Sequence, residues 1–142
     1  MLKRLVGVVL LITMLLGCTQ DTVVYNDIAI SSFTDELKKR GVEGVLEFSP
    51  LLNNDDMDYM ATYVIAKFTS TRILSFFKCK TVEKAKSSLA QAMQNPKLTG
   101  QAVNGKYLMV ITFYPPDDNA VNEIKASFLQ HDFKTTSASS NK

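Results

Sequence analysis

An apolar run near the start of the chain, residues 5–16, most restricts which part of this sequence can fold. Two basic residues, Lys3 and Arg4, precede the run, and the small residue Gly17 follows it. This arrangement is typical of a secretory signal peptide. Length argues against the alternative of a membrane-spanning helix, because twelve helical residues reach about 18 Å and a bilayer core needs roughly 30 Å. We therefore predict that residues 1–17 are a signal peptide and that folding begins after them.

The apolar run ends in Leu15-Leu16-Gly17-Cys18, which resembles the lipobox of bacterial lipoproteins. The resemblance implies that the Cys18 thiol takes a diacylglycerol through a thioether and that a signal peptidase cuts between Gly17 and Cys18. Cys18 would then be the mature N-terminus, open to a further N-acyl chain such as palmitate. Two or three acyl chains anchor a protein stably, since each buried CH₂ contributes about 0.8 kcal/mol and one chain alone is marginal. An ordinary signal peptide with an unmodified cysteine is the alternative.

Net charge and length restrict the partners and the number of domains of the chain that remains after cleavage. The whole sequence has a formal net charge of +2, but removal of Lys3 and Arg4 leaves equal numbers of basic and acidic residues. This balance, with no basic stripe, predicts no nucleic-acid partner. The 125 residues that begin at Cys18 suffice for one domain with its own core.

Three stretches combine helical apolar spacing with capping residues. The predicted N-caps are Ser31 or Ser32, then Thr81, then Asp117 or Asp118. Gly41 is predicted to end the first helix in a left-handed conformation. The second helix is expected to face the sheet with Val82, Ala85, Leu89, Ala92 and Met93.

Five stretches have the alternation and the β-branched or aromatic content of strands. They are residues 42–48, 59–68, 73–80, 98–103 and 106–114. We expect the first to lie at a sheet edge, because Gly44 weakens it. The last is apolar on both faces and is predicted to be covered on both sides. Asn104-Gly105 is predicted to form the centre of a type I′ hairpin turn, and Thr69-Ser70-Thr71 another turn.

The predicted element order is α, β, β, β, α, β, β, α. Strands joined by tight turns favour a mainly antiparallel sheet of about five strands packed by two to three helices, an α+β fold. After the signal peptide we predict a lipidated cysteine and tether at 18–30, a single domain at 31–133 and a disordered tail at 134–142.

The chain resembles a group of small uncharacterised lipoproteins of Bacillus-like bacteria. It shares with them the lipobox, a strand pair of the Tyr63–Phe77 kind leading into a helix, and an aromatic strand like Tyr107–Tyr114. The resemblance implies no activity. It favours an extracytoplasmic location on the outer face of a Gram-positive plasma membrane. In a Gram-negative cell, the absence of aspartate at Thr19 would favour the outer membrane.

Asn54, Asp56 and Asp58 have the spacing of the first three ligands of an EF-hand loop. The required glycine at position 6 is Tyr59, and the bidentate glutamate at position 12 is Ile65. We interpret the segment as a solvated polar loop, with a weak, irregular cation site as the alternative. No metal site or cofactor is predicted.

Three further candidates have structural interpretations. His131, the single histidine, is interpreted as an exposed residue at a helix end. Cys79 is expected to be a buried thiol, because strand alternation points its neighbouring lysines away from it, with an intermolecular disulfide as the alternative. Asp117 and Asp118 directly precede a helix, which favours capping over paired catalytic carboxylates.

These observations predict a membrane-anchored domain that binds a partner and is not an enzyme. The partner would be an envelope protein, a cell-wall polymer or a small ligand. A surface lipoprotein that excludes a phage or toxin is one alternative. An envelope enzyme is another, and it would need Asp55, Asp56, Asp58 and His131 to converge in one pocket.

Overall fold

The computed structural model describes residues 26–67 and 70–134. Three helices are present in this part, α1 (Ile28–Lys39), α2 (Val82–Ala92) and α3 (Asp118–Gln130). The five strands are β1 (Val45–Pro50), β2 (Met57–Lys67), β3 (Ser70–Cys79), β4 (Thr99–Asn104) and β5 (Tyr107–Tyr114). The element order and the α+β class are as predicted. The signal peptide, Cys18 and the tail at 135–142 lie outside the described residues.

All five strands form one sheet in the order β1-β2-β3-β5-β4, and every neighbouring pair is antiparallel. β5 lies inside the sheet and is buried continuously from Tyr107 to Ile111, which confirms that both of its faces are covered. β1 lies at an edge, also as predicted. Gly44 precedes β1 instead of weakening it from within. A Cβ at Gly44 would lie 2.7 Å from the carbonyl oxygen of Val64, so the close approach of the chain there requires glycine.

The two faces of the sheet are covered differently. Buried residues of α1 and α3, including Phe33 and Phe128, pack with Tyr63 and Phe76 from the sheet in the main core. On the other face, Ala85 of α2 packs with a smaller group of buried residues, Cys79, Leu108 and Val110. This division follows from strand alternation, which sends neighbouring residues to opposite faces.

Helix α1 begins earlier than the sequence suggested. Asp27, not Ser31 or Ser32, is its N-cap, and the Asp27 carboxylate accepts a hydrogen bond from the backbone N–H of Ala29 at 2.9 Å. Ala29 and Ile30, assigned to the tether by their mixed surroundings, are fully buried. The Asp27 cap is a local signal that the prediction from Ser31 and Ser32 missed, and the burial of Ala29 and Ile30 adds to the stability of this first turn. The folded domain therefore includes residues 28–30.

The end of α1 follows the prediction. Gly41 has φ +85, and the backbone N–H groups of Gly41 and Val42 bond to the carbonyls of Lys38 and Leu37. These two bonds are the Schellman pattern, which satisfies carbonyls that the helix end would otherwise leave unpaired.

The β4–β5 hairpin is confirmed, but its turn is one residue later than predicted. Asn104 pairs with Tyr107, so Gly105 and Lys106 are the central residues. Only Gly105 has positive φ, at +59, which is the pattern of a type II′ turn. Asn104 stays in the strand, where its side chain bonds to the end of α3. Its Nδ2 donates to the carbonyl oxygens of Phe128 and His131, both at 2.8 Å, at the C-terminal end of α3.

Other local predictions have mixed outcomes. Thr81 caps α2 and Asp117 caps α3, as expected. Met93 does not face the sheet, because it is the C-cap residue of α2 and is 68% exposed. Ser70 and Thr71 belong to β3, not to a turn, because they pair with Lys67 and Ala66 of β2.

Candidate binding pocket

The lipobox-like residues Leu15, Leu16, Gly17 and Cys18 lie outside the described residues. The first described residues, Asn26 and Asp27, lead directly into α1. Within the ranges 26–67 and 70–134, no helix combines the length and the apolar character needed to cross a membrane.

The polar loop before β2 is organised by its own backbone and by lysines. The Asn54 side-chain oxygen accepts from the backbone N–H groups of Asp56 at 2.9 Å and Met57 at 2.8 Å. Lys84 lies 2.9 Å from the Asp56 carboxylate, and Lys80 donates to the Asn54 carbonyl at 2.6 Å. Lysine ammonium groups thus contact the oxygens that a cation would need. No group of three or more potential metal ligands occurs in the described part of the chain.

The prediction that His131 is exposed is wrong, since its side chain is only 10% exposed. Its ring lies against Phe33 and Phe133, with centroids 5.3 and 4.6 Å away. Nδ1 lies 3.1 Å from a Glu36 carboxylate oxygen, whereas buried Nε2 has no hydrogen-bond partner among the described residues. A helix-end position did not reveal this burial, because the chain after α3 turns back and packs Phe133 into the core.

The four residues required for an enzyme site are not brought together. His131 contacts Glu36 of α1, whereas Asp56 pairs with Lys84 of α2, which packs on the opposite face of the sheet. Asp117 acts as a cap, accepting from the Ala120 N–H at 3.1 Å, and also pairs with Arg72 at 2.7 Å.

Cys79 is a free thiol and is fully buried. Burial raises the pKa of its thiol above the ordinary value, and the nearby carboxylates of Asp56 and Asp58 raise it further. A raised pKa keeps the sulfur protonated at neutral pH and therefore weakly nucleophilic. The expected buried thiol is thus observed, and its neighbour Lys78 is directed to the other face of the sheet.

The sequence did not reveal a polar cluster around Asp27. Three of its members lie side by side on neighbouring strands. Lys78 of β3 is paired with Tyr59 of β2 on one side and with Tyr107 of β5 on the other. All three reach the same carboxylate oxygen, Oδ2 of Asp27. The Tyr107 hydroxyl donates at 2.9 Å, the Lys78 ammonium at 3.2 Å, and the Tyr59 hydroxyl also donates to it. We call these four residues the Asp27 cluster.

The electrostatics of the Asp27 cluster favour a charged carboxylate. Burial alone would raise the pKa of Asp27, but the Tyr59 hydrogen bond, the Lys78 charge and the Tyr107 hydrogen bond together hold its pKa below the ordinary value. The pKa values of both tyrosines are raised, first by burial and then by the adjacent Asp27. Both phenols therefore remain protonated donors at neutral pH. The arrangement holds the Lys78 ammonium in a defined place, 5.7 Å from the centre of the Tyr107 ring.

An open pocket of about 330 Å³ lies beside the Asp27 cluster. We call it the lysine pocket, because Lys78, Lys106 and Lys134 line it together with apolar side chains of Val82, Tyr107 and Phe133. No carboxylate is among its described lining residues. Tyr107 and Phe133 stack with their ring centres 4.7 Å apart and together form an aromatic wall of the pocket. This combination suits a ligand with an anionic group and an apolar portion.

One sequence signal pointed to this site. Alternation along β3 places Lys78 on the same face as Leu74 and Phe76, which are fully buried. A lysine on a core-facing position requires a carboxylate partner, because an unpaired charge is costly to bury. The partner itself could not be identified, since Asp27 lies far away in sequence and within the stretch interpreted as a tether.

Comparisons with known proteins return nothing similar to this chain. No protein-family model matches it, and neither a curated protein nor a solved structure does so.

Proposed function

We propose that this chain is a bacterial lipoprotein, anchored to the cell envelope through Cys18, whose α+β domain acts by binding and not by catalysis. The single observation that carries the proposal is Leu15-Leu16-Gly17-Cys18, which stands at the end of an apolar run that follows a basic start. Those residue types suit lipid attachment at the thiol and cleavage beside a small residue.

The position of the first helix supports a short tether. Asp27 caps α1, so only residues 19–26 separate the proposed lipidated cysteine from the folded domain. A chain of this length reaches at most about 30 Å when fully extended. The domain would therefore remain close to the membrane surface, on the outer face of a Gram-positive plasma membrane or, in a Gram-negative cell, on the outer membrane.

The lysine pocket supports a binding role. It is open and combines ammonium groups with a stacked aromatic wall, which are the features of a binding site for a small molecule or a lipid. A small ligand fits this geometry better than the other proposed partners, an envelope protein or a cell-wall polymer.

The anchor is tested by the intact mass of the protein purified from membranes of its own host. The expected mass is that of a chain beginning at Cys18 plus a diacylglycerol, with or without a further acyl chain. The matched control is Cys18→Ala, which should keep residues 1–17 and carry no lipid. An unmodified Cys18 in the unsubstituted protein, or retention of residues 1–17, would overturn the proposal.

A further inference from the structure

We propose that the lysine pocket binds the anionic headgroup of a phospholipid in the membrane that carries the chain. The domain would then lie with this end against the membrane surface. The inference rests on the proposed lipid anchor and adds a ligand class and an orientation to it.

The position of the pocket in the fold is the first argument. Asp27, where the described chain begins its first helix, contacts the pocket residue Lys78. Lys134, where the described chain ends, also lines the pocket. Both ends of the domain therefore meet at this site. Because the chain between Cys18 and Asp27 spans at most about 30 Å, an anchor at Cys18 would keep this end of the domain within that distance of the membrane.

Charge complementarity is the second argument. Three lysines line the pocket and no carboxylate is among its described lining residues. The charge of Lys78 is balanced by Asp27 beside the pocket, so the attraction for an anion depends chiefly on Lys106. Lys106 is exposed at the centre of the β4–β5 turn. Its ammonium group has no partner among the described residues. An anionic membrane surface attracts such groups, with an effect on partitioning of about fivefold for each lysine.

The third argument is the shape of the site. A phospholipid headgroup joins a phosphate to a glycerol and to the first methylenes of its acyl chains. Lys78, held by the Asp27 cluster, and Lys106 would bind the phosphate oxygens, while the stacked rings of Tyr107 and Phe133 would contact the apolar part. A tethered domain needs only weak intrinsic affinity, because tethering raises the effective concentration to the millimolar range.

Vesicle binding without the lipid anchor tests the proposal. The probe is the mature chain from residue 18, carrying Cys18→Ser so that no acyl chain contributes. The described members of the main core lie between Ala29 and Phe133, so the shortened chain retains all of them. Co-sedimentation is measured at millimolar lipid with phosphatidylcholine vesicles and with equimolar phosphatidylcholine–phosphatidylglycerol vesicles. We expect binding to the anionic vesicles alone, and a decrease with added salt.

Matched lysine substitutions locate the binding surface. Lys106→Gln should weaken partitioning about fivefold, and Lys106→Glu should weaken it further. Lys97→Gln is the control, since Lys97 is also exposed but lies before β4, at the opposite end of the sheet, and it should bind as the parent does. Equal binding to both vesicle types, or equal losses for the Lys106 and Lys97 variants, would overturn the proposal.

Two further measurements separate other occupants of the pocket. Glycerol 3-phosphate at the concentration of the vesicle phosphate should leave the bound fraction unchanged, and displacement would assign the pocket to a soluble phosphate ester. Nuclear Overhauser contacts from residues 18–25 to Phe133 without vesicles would show that the chain's own start fills the pocket. Either result would overturn the membrane assignment. The mass measurement on Cys18 is independent, so failure of the anchor and failure of the pocket are distinguishable.

Discussion

The ammonium of Lys78 lies 3.2 Å from the carboxylate of Asp27, which joins the end of β3 to the residue that begins α1. The same carboxylate accepts hydrogen bonds from Tyr59 of β2 and Tyr107 of β5 and caps the helix at Ala29. One side chain therefore connects α1 to three neighbouring strands. Because Lys78 and Tyr107 also line the lysine pocket, the geometry of the pocket depends on Asp27.

Removing the Asp27 side chain should destabilise the domain. We expect Asp27→Ala to lower the free energy of unfolding by about 3 kcal/mol, since it removes an N-cap and leaves Lys78 without its partner. Asp27→Asn is the matched control. Asparagine also caps helices, so this variant should lose less of the free energy of unfolding than Asp27→Ala does. Urea unfolding of the chain that begins at residue 18 measures both losses. A loss under about 1 kcal/mol for the alanine variant would contradict the role assigned to this carboxylate.

Stability should decrease in acid because of Asp27. Its pKa is lower in the folded state than the unfolded value of about 3.9, so the unfolded chain binds the proton more readily. The contribution is fully present above pH about 4 and is lost as the pH falls through the folded pKa. Unfolding free energies of the unsubstituted chain and of Asp27→Asn, measured from neutral to acidic pH, should therefore converge in acid. A difference that stays constant with pH would contradict this assignment.

Asn104 should hold the C-terminal end of α3. Asn104→Asp preserves the size of the side chain but cannot donate to the carbonyls of Phe128 and His131, and it places a negative charge at a helix C-terminus. We expect a loss of about 2 kcal/mol in unfolding free energy. Amide hydrogen exchange in this variant should accelerate at residues 127–133. It should stay unchanged in β1, provided that the domain as a whole remains folded. Uniform acceleration across the domain would argue against a local role.

Two glycines should respond differently to alanine. Gly105 has φ +59 and open space around it, so Gly105→Ala should cost about 1 kcal/mol from backbone conformation alone. At Gly44 an added Cβ would lie 2.7 Å from a backbone carbonyl and 2.8 Å from the Tyr63 ring. Gly44→Ala should therefore cost more than Gly105→Ala in thermal or urea unfolding. The reverse order would show that β1 can move away from β2 at little cost.

The Cys79 thiol should be protected in the native domain. It is fully buried and burial raises its pKa, so labelling by iodoacetamide at neutral pH should be slow and become fast only in denaturant. With Cys18→Ser as the background, Cys79 is the single cysteine that reacts. Fast labelling without denaturant would show that α2 separates readily from the end of the central strand β3.

Local patterns predicted much of the fold correctly. Alternation along β3 separated Lys78 from Cys79, and Thr81 and Asp117 marked the starts of α2 and α3. One error is local, since the cap Asp27 was missed, although the burial of Ala29 and Ile30 adds to the stability of this first turn. Other errors have tertiary causes. Asn104 is displaced from its turn because it bonds to the end of α3. His131 is covered because Phe133 packs beside it.

The sequence by itself determined the order of the elements, the faces of the strands and most of the helix caps, together with the lipobox-like segment that carries the proposed anchor. These properties depend on periodicity and on hydrogen bonds between residues only a few positions apart. Only the tertiary structure decided that Asp27, Tyr59, Lys78 and Tyr107 meet at one carboxylate and that a lysine-lined pocket opens beside them. That meeting depends on the register of three strands and on the docking of α1, which arise from packing between residues distant in sequence.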